Sequence, residues 1–137
     1  YWDNEKATRD SFKDGWFCTG DVAVVEDGYY RIMGRSSVDI IKSGGYKLSA
    51  LEIEGVLLNH DAIGEVAVIG VEDETWGESV TAVIALVEGA ELDYDSLKQW
   101  CNGKMSSYKI PKAIKIIDEL PRNAMGKVTK PALKEML

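Results

Sequence analysis

The sequence predicts a mixed α+β fold: a small β-rich piece at the N-terminus, followed by a domain in which helices cover a small sheet. Turn dipeptides divide the first 35 residues into short strand-like runs. Farther along, apolar runs of strand length alternate with segments whose apolar residues have helical spacing. With 137 residues and 45 % hydrophobic content, the chain is large enough to bury a core.

The β-rich piece is defined by two turn sequences, Asp14-Gly15 and Asp27-Gly28. Apolar runs at 22–25 and 29–33 flank the second turn, and this arrangement predicts a β-hairpin. The polar and flexible residues 34–37 then interrupt the pattern, so they are the best candidate for a domain boundary.

The second unit begins near Val38 with a hairpin around Ser43-Gly44-Gly45. Ser49, with Glu52 three residues later, forms a capping-box pattern and predicts a helix over 50–59. The remaining predicted elements are strands at 66–71, 80–87 and 113–117, and helices that begin at Asp93 and Thr129. The second unit is therefore expected to contain a hairpin, a three-stranded sheet and about three helices.

The last predicted helix has Thr129 as its cap and tolerates Pro131 in its first turn. The side chains expected to face inward are Leu133, Met136 and Leu137. The side chains expected on the solvated face are Lys130 and Lys134.

Charge and composition exclude several function classes. The net charge of −7, from 16 basic and 23 acidic residues, disfavours a nucleic-acid partner or an anionic membrane surface. No apolar run approaches the roughly 20 residues that span a bilayer. Cys18 and Cys101 have no metal-ligand spacing, and His60 is the only histidine, so a zinc site or a Ser-His-Asp triad is not expected.

The first residues, Tyr1 to Glu5, have none of the features of a signal peptide. We expect the chain to be a piece of a longer protein, with any targeting signal outside it. The two cysteines are too few for a disulfide framework, which indicates a reduced intracellular setting. We expect the cytoplasm or, in a eukaryote, the mitochondrion.

Several short motifs follow one another along the chain. They are Tyr1-Trp2, Asp14-Gly15-Trp16-Phe17, Thr19-Gly20-Asp21, Gly28-Tyr29-Tyr30, Ile32-Met33-Gly34-Arg35, Lys42-Ser43-Gly44-Gly45-Tyr46-Lys47 and Pro121-Arg122-Asn123-Ala124-Met125-Gly126-Lys127. In this order and spacing they resemble the C-terminal end of the adenylate-forming enzymes. That superfamily includes acyl-CoA synthetases, luciferases and peptide-synthetase adenylation domains.

The resemblance covers essentially the whole chain and implies a domain organisation. Residues 1–35 would be the end of the large adenylation domain, 36–38 the hinge, and 39–137 the C-terminal lid. The segments that resemble the malonyl-CoA synthetase branch, whose members are similar to acyl-CoA synthetase family member 3, are 37–42, 44–54 and 121–123. The run 108–112 is also similar to that of CoA ligases.

The resemblance implies a reaction in two halves. A small carboxylic acid attacks the α-phosphate of ATP to give an acyl-adenylate and pyrophosphate, and the thiol of CoA then displaces AMP. The first half brings an anion to a polyanion, so positive charge must be positioned there. The phosphate loop, the adenine and acid pockets and the acidic ligand of Mg²⁺ would lie in the missing N-terminal domain, which acts in cis. The chain alone is therefore expected to be inactive.

Three residues match the family's nucleotide chemistry. The resemblance implies that Lys127 is the catalytic lysine of adenylation, that Asp21 binds the ribose hydroxyls, and that Arg35 contacts the ribose and phosphates. From the residues alone, the simpler alternatives are a solvated surface lysine, a turn aspartate and an interdomain salt bridge.

The glycine hairpin is expected to face the active site during thioester formation and to line the passage for the pantetheine arm. Its residues with a possible catalytic or CoA-binding role are Lys42, Gly44, Gly45, Tyr46 and Lys47. From the residues alone, a tight turn is the better explanation of Gly44-Gly45.

The hinge position stays open among Ser37, Val38 and Asp39. In the family that the motifs resemble, an aspartate or lysine stands where this chain has Ser37. The resemblance also makes the segment from Arg35 to Lys47 one residue longer than in many members, so Val38 or Asp39 could take the hinge place. A hinge requires only a short linker whose torsions absorb the rotation.

Two alternatives to a CoA ligase also stay open. One is an adenylating enzyme that transfers its acyl group to a carrier protein. The other is a non-catalytic interaction module that kept the fold. The presence of both Asp21 and Lys127 argues against the second.

Overall fold

The computed structural model describes all 137 residues and contains nine strands and four α-helices. Its N-terminal part contains α1 Glu5–Asp10, β1 Phe12–Lys13, β2 Trp16–Phe17, β3 Asp21–Glu26 and β4 Tyr29–Arg35. Asp14-Gly15 and Asp27-Gly28 form the predicted turns of two antiparallel hairpins. The short helix α1 escapes sequence analysis because it buries none of its side chains and so has no apolar periodicity.

The second part contains the predicted series of hairpin, helix, two strands, helix, strand and helix. Its elements are β5 Ile40–Ser43, β6 Tyr46–Ser49, α2 Ala50–Leu57, β7 Ile63–Asp73, β8 Gly77–Leu86, α3 Tyr94–Cys101, a 3-10 helix Ser107–Lys109, β9 Ala113–Ile116 and α4 Lys130–Glu135. The predicted α+β class is therefore confirmed. No helix is both long enough and apolar enough to cross a bilayer.

The glycine hairpin and the three later strands form one sheet, in the order β6-β5-β8-β7, with β9 also paired to β8. A single backbone pairing, Ser43 with Gly77, joins β5 to β8. The same edge of β8 pairs in parallel with β9 from Thr81 to Ile84. Because Ser43 and Gly77 are 34 positions apart, local sequence patterns predict the hairpin and the later strands as separate pieces.

The β7–β8 hairpin is buried on both faces. Val80, Ala82 and Ile84 of β8 pack into the main core cluster with residues of α2 and α3. Val83 faces the other way and packs in a second cluster with Leu133 of α4. Double-sided burial explains why these strands appear in the sequence as continuous apolar runs rather than alternating ones.

The predicted caps of the first two long helices are present. Ser49 Oγ accepts a hydrogen bond from the Glu52 amide at 3.2 Å, but the Glu52 carboxylate pairs with Lys109, so only half of the capping box forms. Asp93 accepts from the amide and hydroxyl of Ser96. The Ser96 hydroxyl, followed by the Ser96 amide, lowers the pKa of the exposed Asp93 carboxyl.

Two expectations for the last helix were wrong. Thr129 occupies the predicted N-cap position of α4, although its side chain makes no capping hydrogen bond. Met136 and Leu137 are 55 % and 50 % exposed, whereas Leu133 is buried. The helix ends at Glu135, so the last two residues lie beyond it and no longer follow its apolar face.

The junction between the two parts depends on Gly34. This residue has φ of 124°, and a Cβ there would lie 2.5 Å from Asp39 Cβ. The clashing atom is close to the backbone and cannot move aside easily, so both conformation and space require glycine at this position.

Gly34→Ala should lower the free energy of unfolding by about 2–4 kcal/mol, because it adds a steric clash to a strained φ. Urea unfolding of the chain, followed by tryptophan fluorescence, measures this loss.

Gly28→Ala is the matched control, since Gly28 also has positive φ (83°) but no atom lies within 4 Å of its added Cβ. That variant should lose only about 1 kcal/mol. Equal losses in the two variants would show that the contact with Asp39 does not matter.

Candidate functional site

Asp21 and Arg35, the two predicted nucleotide ligands, lie directly opposite each other on β3 and β4. Arg35 Nε is 3.0 Å from Asp21 Oδ1, and the two side chains are 62 % and 36 % exposed. An ion pair this exposed contributes at most about 1 kcal/mol to stability. The pair leaves one carboxylate oxygen and the terminal guanidinium nitrogens free, so it offers acceptors and donors to a ligand.

The glycine hairpin holds two lysines on its strands. Lys42 and Lys47 are partners in the β5–β6 register, and both are exposed and without an ion pair. Like charges placed opposite each other repel, and a bound anion would relieve that repulsion. Gly44 and Gly45 both have positive φ, 57° and 82°, as a tight turn requires.

An aromatic pocket extends from the hairpin. The Gly44 amide donates to the Trp76 carbonyl oxygen at 2.9 Å, and a Cβ on Gly44 would lie 2.9 Å from the Trp76 ring. Tyr46 stacks on Tyr108 with ring centroids 4.6 Å apart and planes within 9°. These residues line a cavity of about 250 Å³ that a flat or narrow ligand could enter.

Lys112 adds positive charge to this aromatic pocket, with its Nζ 3.5 Å from the centroid of the Trp76 ring. The turn predicted at Trp76 exists, but the indole is also a wall of the pocket. Trp76, Tyr108 and Lys112 are distant from one another in sequence, so no local pattern singles them out. The only signal was the resemblance of the run 108–112 to CoA ligases.

Lys127 lies on a loop that its own residues order. Asn123 Oδ1 accepts from the amides of Met125 and Lys127 at 2.9 and 3.0 Å, and the Asn123 amide donates to the Lys127 carbonyl oxygen at 2.9 Å. Gly126 supplies the positive φ of the turn. The Lys127 side chain is exposed and makes no hydrogen bond or ion pair, so a free ammonium group projects from an ordered backbone.

Arg122 attaches this loop to the sheet. Its guanidinium donates to the Gly126 carbonyl oxygen at 2.8 Å and pairs with Glu65 of β7. The loop residue next to Lys127 is thus connected through one side chain to the edge strand.

The predicted hinge residues differ in their surroundings. Ser37 is exposed and Val38 is half-buried, whereas Asp39 is buried. The Asp39 amide donates to the Arg35 carbonyl oxygen at 2.8 Å, and its Oδ2 accepts from the Arg35 amide at 2.9 Å. Asp39 therefore closes the turn that follows Arg35.

The expectation that Lys130 lies on a solvated helix face was wrong. Its Nζ is 2.6 Å from Asp39 Oδ1 and 2.8 Å from Glu54 Oε1, and the side chain is only 11 % exposed. Periodicity along α4 cannot reveal this, because both partners come from distant segments. Lys134, one turn later, is 45 % exposed, and its Nζ lies 3.5 Å from Glu78 Oε1. Its position is therefore closer to the solvated helix face that we expected.

The structure brings together Asp21 with Arg35, and Lys42 with the rest of the glycine hairpin. No hydrogen bond or ion pair joins Lys127 to either group. No cluster of three or more histidine, cysteine or acidic side chains could hold a metal ion.

Comparison with known proteins identifies the family. Residues 52–127 match the family described as the AMP-binding enzyme C-terminal domain. The chain belongs to this family of adenylate-forming enzyme domains, as its motifs predicted.

Among curated relatives, the chain is 54 % identical over 138 residues to mitochondrial malonate–CoA ligase ACSF3 of Mus musculus. The match covers 100 % of this chain and 24 % of that protein. The chain thus spans about a quarter of the length of the curated relatives that it matches.

Two solved enzymes have similar structures. ATP-bound MatB of Rhodopseudomonas palustris matches with a TM-score of 0.88 and 37 % identity, over 99 % of this chain and 27 % of the MatB chain. Apo MatB matches with a TM-score of 0.75 and 38 % identity, over the same shares of the two chains. The o-succinylbenzoate CoA synthetase of Bacillus subtilis, with its acyl-adenylate intermediate, matches with TM-score 0.88 and 36 % identity over 98 % and 27 %.

The order of the Lys127 loop yields a test. Asn123→Ala should speed hydrogen exchange at the amides of Met125 and Lys127 about tenfold, because both lose their acceptor. Exchange measured by mass spectrometry or NMR reports this change. Asn123→Asp keeps the acceptor oxygen and should exchange like the wild type; unchanged exchange in Asn123→Ala would show that other contacts order the loop.

Proposed function

We propose that this chain is the C-terminal portion of an ATP-dependent acid–CoA ligase. The whole enzyme activates a carboxylic acid as an acyl-adenylate and transfers the acyl group to CoA, releasing pyrophosphate and AMP. The observation that carries the proposal is the free ammonium group of Lys127 on an ordered loop, in a chain 54 % identical along its whole length to a malonate–CoA ligase.

The domain division is part of this proposal: residues 1–35 end the large adenylation domain, 36–38 form the hinge, and 39–137 form the lid. The distribution of the core supports it, since both core clusters lie within the second unit. Large side chains of the first 35 residues are exposed, and the most exposed are Trp2, Trp16, Tyr29 and Tyr30. The missing part of the adenylation domain would cover these side chains.

In the adenylation half, a carboxylate oxygen of the acid forms a bond to the α-phosphorus of ATP while the bond to pyrophosphate breaks. Lys127 places its ammonium between the carboxylate and the phosphate oxygens and stabilises the charge that develops there. Asp21 accepts hydrogen bonds from the ribose hydroxyls, and Arg35 donates to ribose and phosphate oxygens.

The arrangement of the two units is consistent with this half of the reaction. The chain superimposes better on ATP-bound MatB than on apo MatB, with TM-scores of 0.88 and 0.75. The match to an acyl-adenylate complex of a second enzyme is equally close. These values support an assignment of the present arrangement to the adenylate-forming state.

In the second half, the glycine hairpin and its aromatic pocket receive the acceptor. Gly44 and Gly45 allow close approach of a thin pantetheine arm. The pair Tyr46 and Tyr108 and the indole of Trp76 offer faces for a nucleobase, while Lys42, Lys47 and Lys112 offer charge to phosphates. This combination fits free CoA; a carrier protein remains the alternative acceptor, and a downstream carrier domain in the parent sequence would favour it.

The acid that we propose first is malonate, on the basis of the names of the mouse and Arabidopsis relatives. The acid pocket and the ligands of Mg²⁺ are proposed to lie in the missing N-terminal domain. An intracellular setting is proposed, mitochondrial if the source is a eukaryote, as in the name of the mouse relative.

In the full-length enzyme that contains this chain, Lys127→Ala should abolish formation of acyl-adenylate from ATP and malonate, because no other group replaces the ammonium. The same variant should still convert supplied malonyl-adenylate and CoA to the thioester. Pyrophosphate release and thioester formation, measured separately, follow the two halves.

Lys115→Ala is the control, since Lys115 of β9 is exposed and unpaired and should be replaceable without loss. Acetate, methylmalonate and a medium-chain acid, assayed alongside malonate, identify the preferred acid. Wild-type adenylation by Lys127→Ala would refute the role of Lys127 and favour a non-catalytic interaction module.

Gly44→Ala should slow the thioester half about tenfold and leave adenylation unchanged, because the new methyl group displaces Trp76 and narrows the pocket. Gly89→Ala is the matched control: Gly89 also has positive φ (76°), but no atom lies within 4 Å of its added Cβ, and it is not among the residues that line the pocket. If both substitutions slow the second half equally, turn strain alone explains the effect and the pocket does not take the acceptor.

A further inference from the structure

The hinge segment and the Lys127 loop face each other across a cleft of about 410 Å³. Lys130 is the residue that bridges this cleft with a direct contact. Its ammonium lies 2.6 Å from Asp39 Oδ1 and 2.8 Å from Glu54 Oε1, and the three side chains are only 11–13 % exposed. One buried ammonium group therefore holds two carboxylates at the same time.

On one side of this bridge, Asp39 controls the turn that leads to Arg35. One carboxylate oxygen contacts Lys130, while the other accepts from the Arg35 amide at 2.9 Å. The Asp39 carbonyl oxygen accepts from the Ala50 amide at 2.8 Å, which attaches the residue to α2. A shift of the Asp39 carboxylate would thus move the backbone of a predicted nucleotide ligand.

On the other side, Lys130 stands three residues after Lys127, at the point where the loop enters α4. The Thr129 amide donates to the Pro121 carbonyl oxygen at 2.8 Å, which closes the base of the loop. The position of Lys130 therefore determines where the C-terminal end of the Lys127 loop lies relative to the hinge.

We propose that Lys130 is a positioning residue. Through its ion pair with Asp39, it fixes the position of the Lys127 loop relative to the hinge turn. It touches no reacting atom in this scheme; it orients the loop that carries the ammonium group of Lys127 and the backbone of Arg35. The inference rests on the proposed function, because it requires that Lys127 acts in adenylation. It also places Asp39 with the lid, so the pivot lies at the residues before it.

The second ion pair of Lys130, with Glu54, provides a comparison for the pair with Asp39. Glu54 Oε1 also accepts from the Val68 amide at 2.7 Å, on the open edge of β7, so this carboxylate connects Lys130 to the sheet rather than to the hinge. Loss of the Glu54 partner should affect stability, whereas loss of the Asp39 partner should affect adenylation.

The test uses the full-length enzyme and the two half-reactions. Lys130→Met and Asp39→Asn should each slow adenylation about 100-fold, the scale expected for misplacement of a reacting group by about an ångström, while thioester formation from supplied malonyl-adenylate is retained. Lys130→Arg, which keeps the charge, should recover most of the adenylation rate. Because both residues act through one contact, the double variant should lose no more than either single variant.

Two controls separate positioning from a structural role. Glu54→Gln should lower the unfolding temperature without selective loss of adenylation, and Lys134→Met, one turn farther along α4, should leave both halves unchanged. Equal slowing of both halves by Asp39→Asn, or adenylation at the wild-type rate in that variant, overturns the proposal. If Lys130→Met does not fold, Asp39→Asn alone decides. Lys127→Ala in the same assay distinguishes the two failures, since its wild-type adenylation would refute the proposed function instead.

Discussion

Burial of the β7–β8 hairpin on both faces is the constraint on which the rest of the structure depends. One face packs against α2 and α3, and the other packs against α4. Each layer loses its apolar partner if the hairpin is displaced, and single large-to-small changes in such a core cost about 2–5 kcal/mol. The hairpin therefore sets where the loops between the layers begin and end.

The functional segments are attached to this hairpin at its turn and along its edge. The glycine hairpin joins it through one backbone pairing, Ser43 with Gly77, beside the turn that carries Trp76. The Lys127 loop is attached to β7, the edge strand of the sheet, by the ion pair of Arg122 with Glu65. Groups proposed for two successive reactions thus stand on one rigid support, and a rotation of that support can exchange them at a single site.

The lysines of the chain show how burial separates mechanical from chemical roles. Lys130 is enclosed by two carboxylates, and removal of a buried partner of this kind costs about 3–5 kcal/mol. Lys42, Lys47 and Lys127 are exposed and unpaired. An ammonium group that already neutralises buried carboxylates cannot also meet a phosphate, so only the unpaired lysines are available to a substrate.

The sequence by itself determined the order of the strands and α-helices of the second unit and the caps at Ser49 and Asp93. Its motifs indicated Asp21, Arg35, Gly44 and Lys127 through their resemblance to the adenylate-forming enzymes. The elements and caps follow local rules, because apolar periodicity, capping residues and turn residues act over a few positions. Only the tertiary structure decided that the glycine hairpin shares a sheet with β8, that Trp76 and Tyr108 meet beside Gly44, and that Lys130 is buried against Asp39. Each of these contacts joins segments more than 30 residues apart, where the outcome depends on how layers pack rather than on any pattern along the chain.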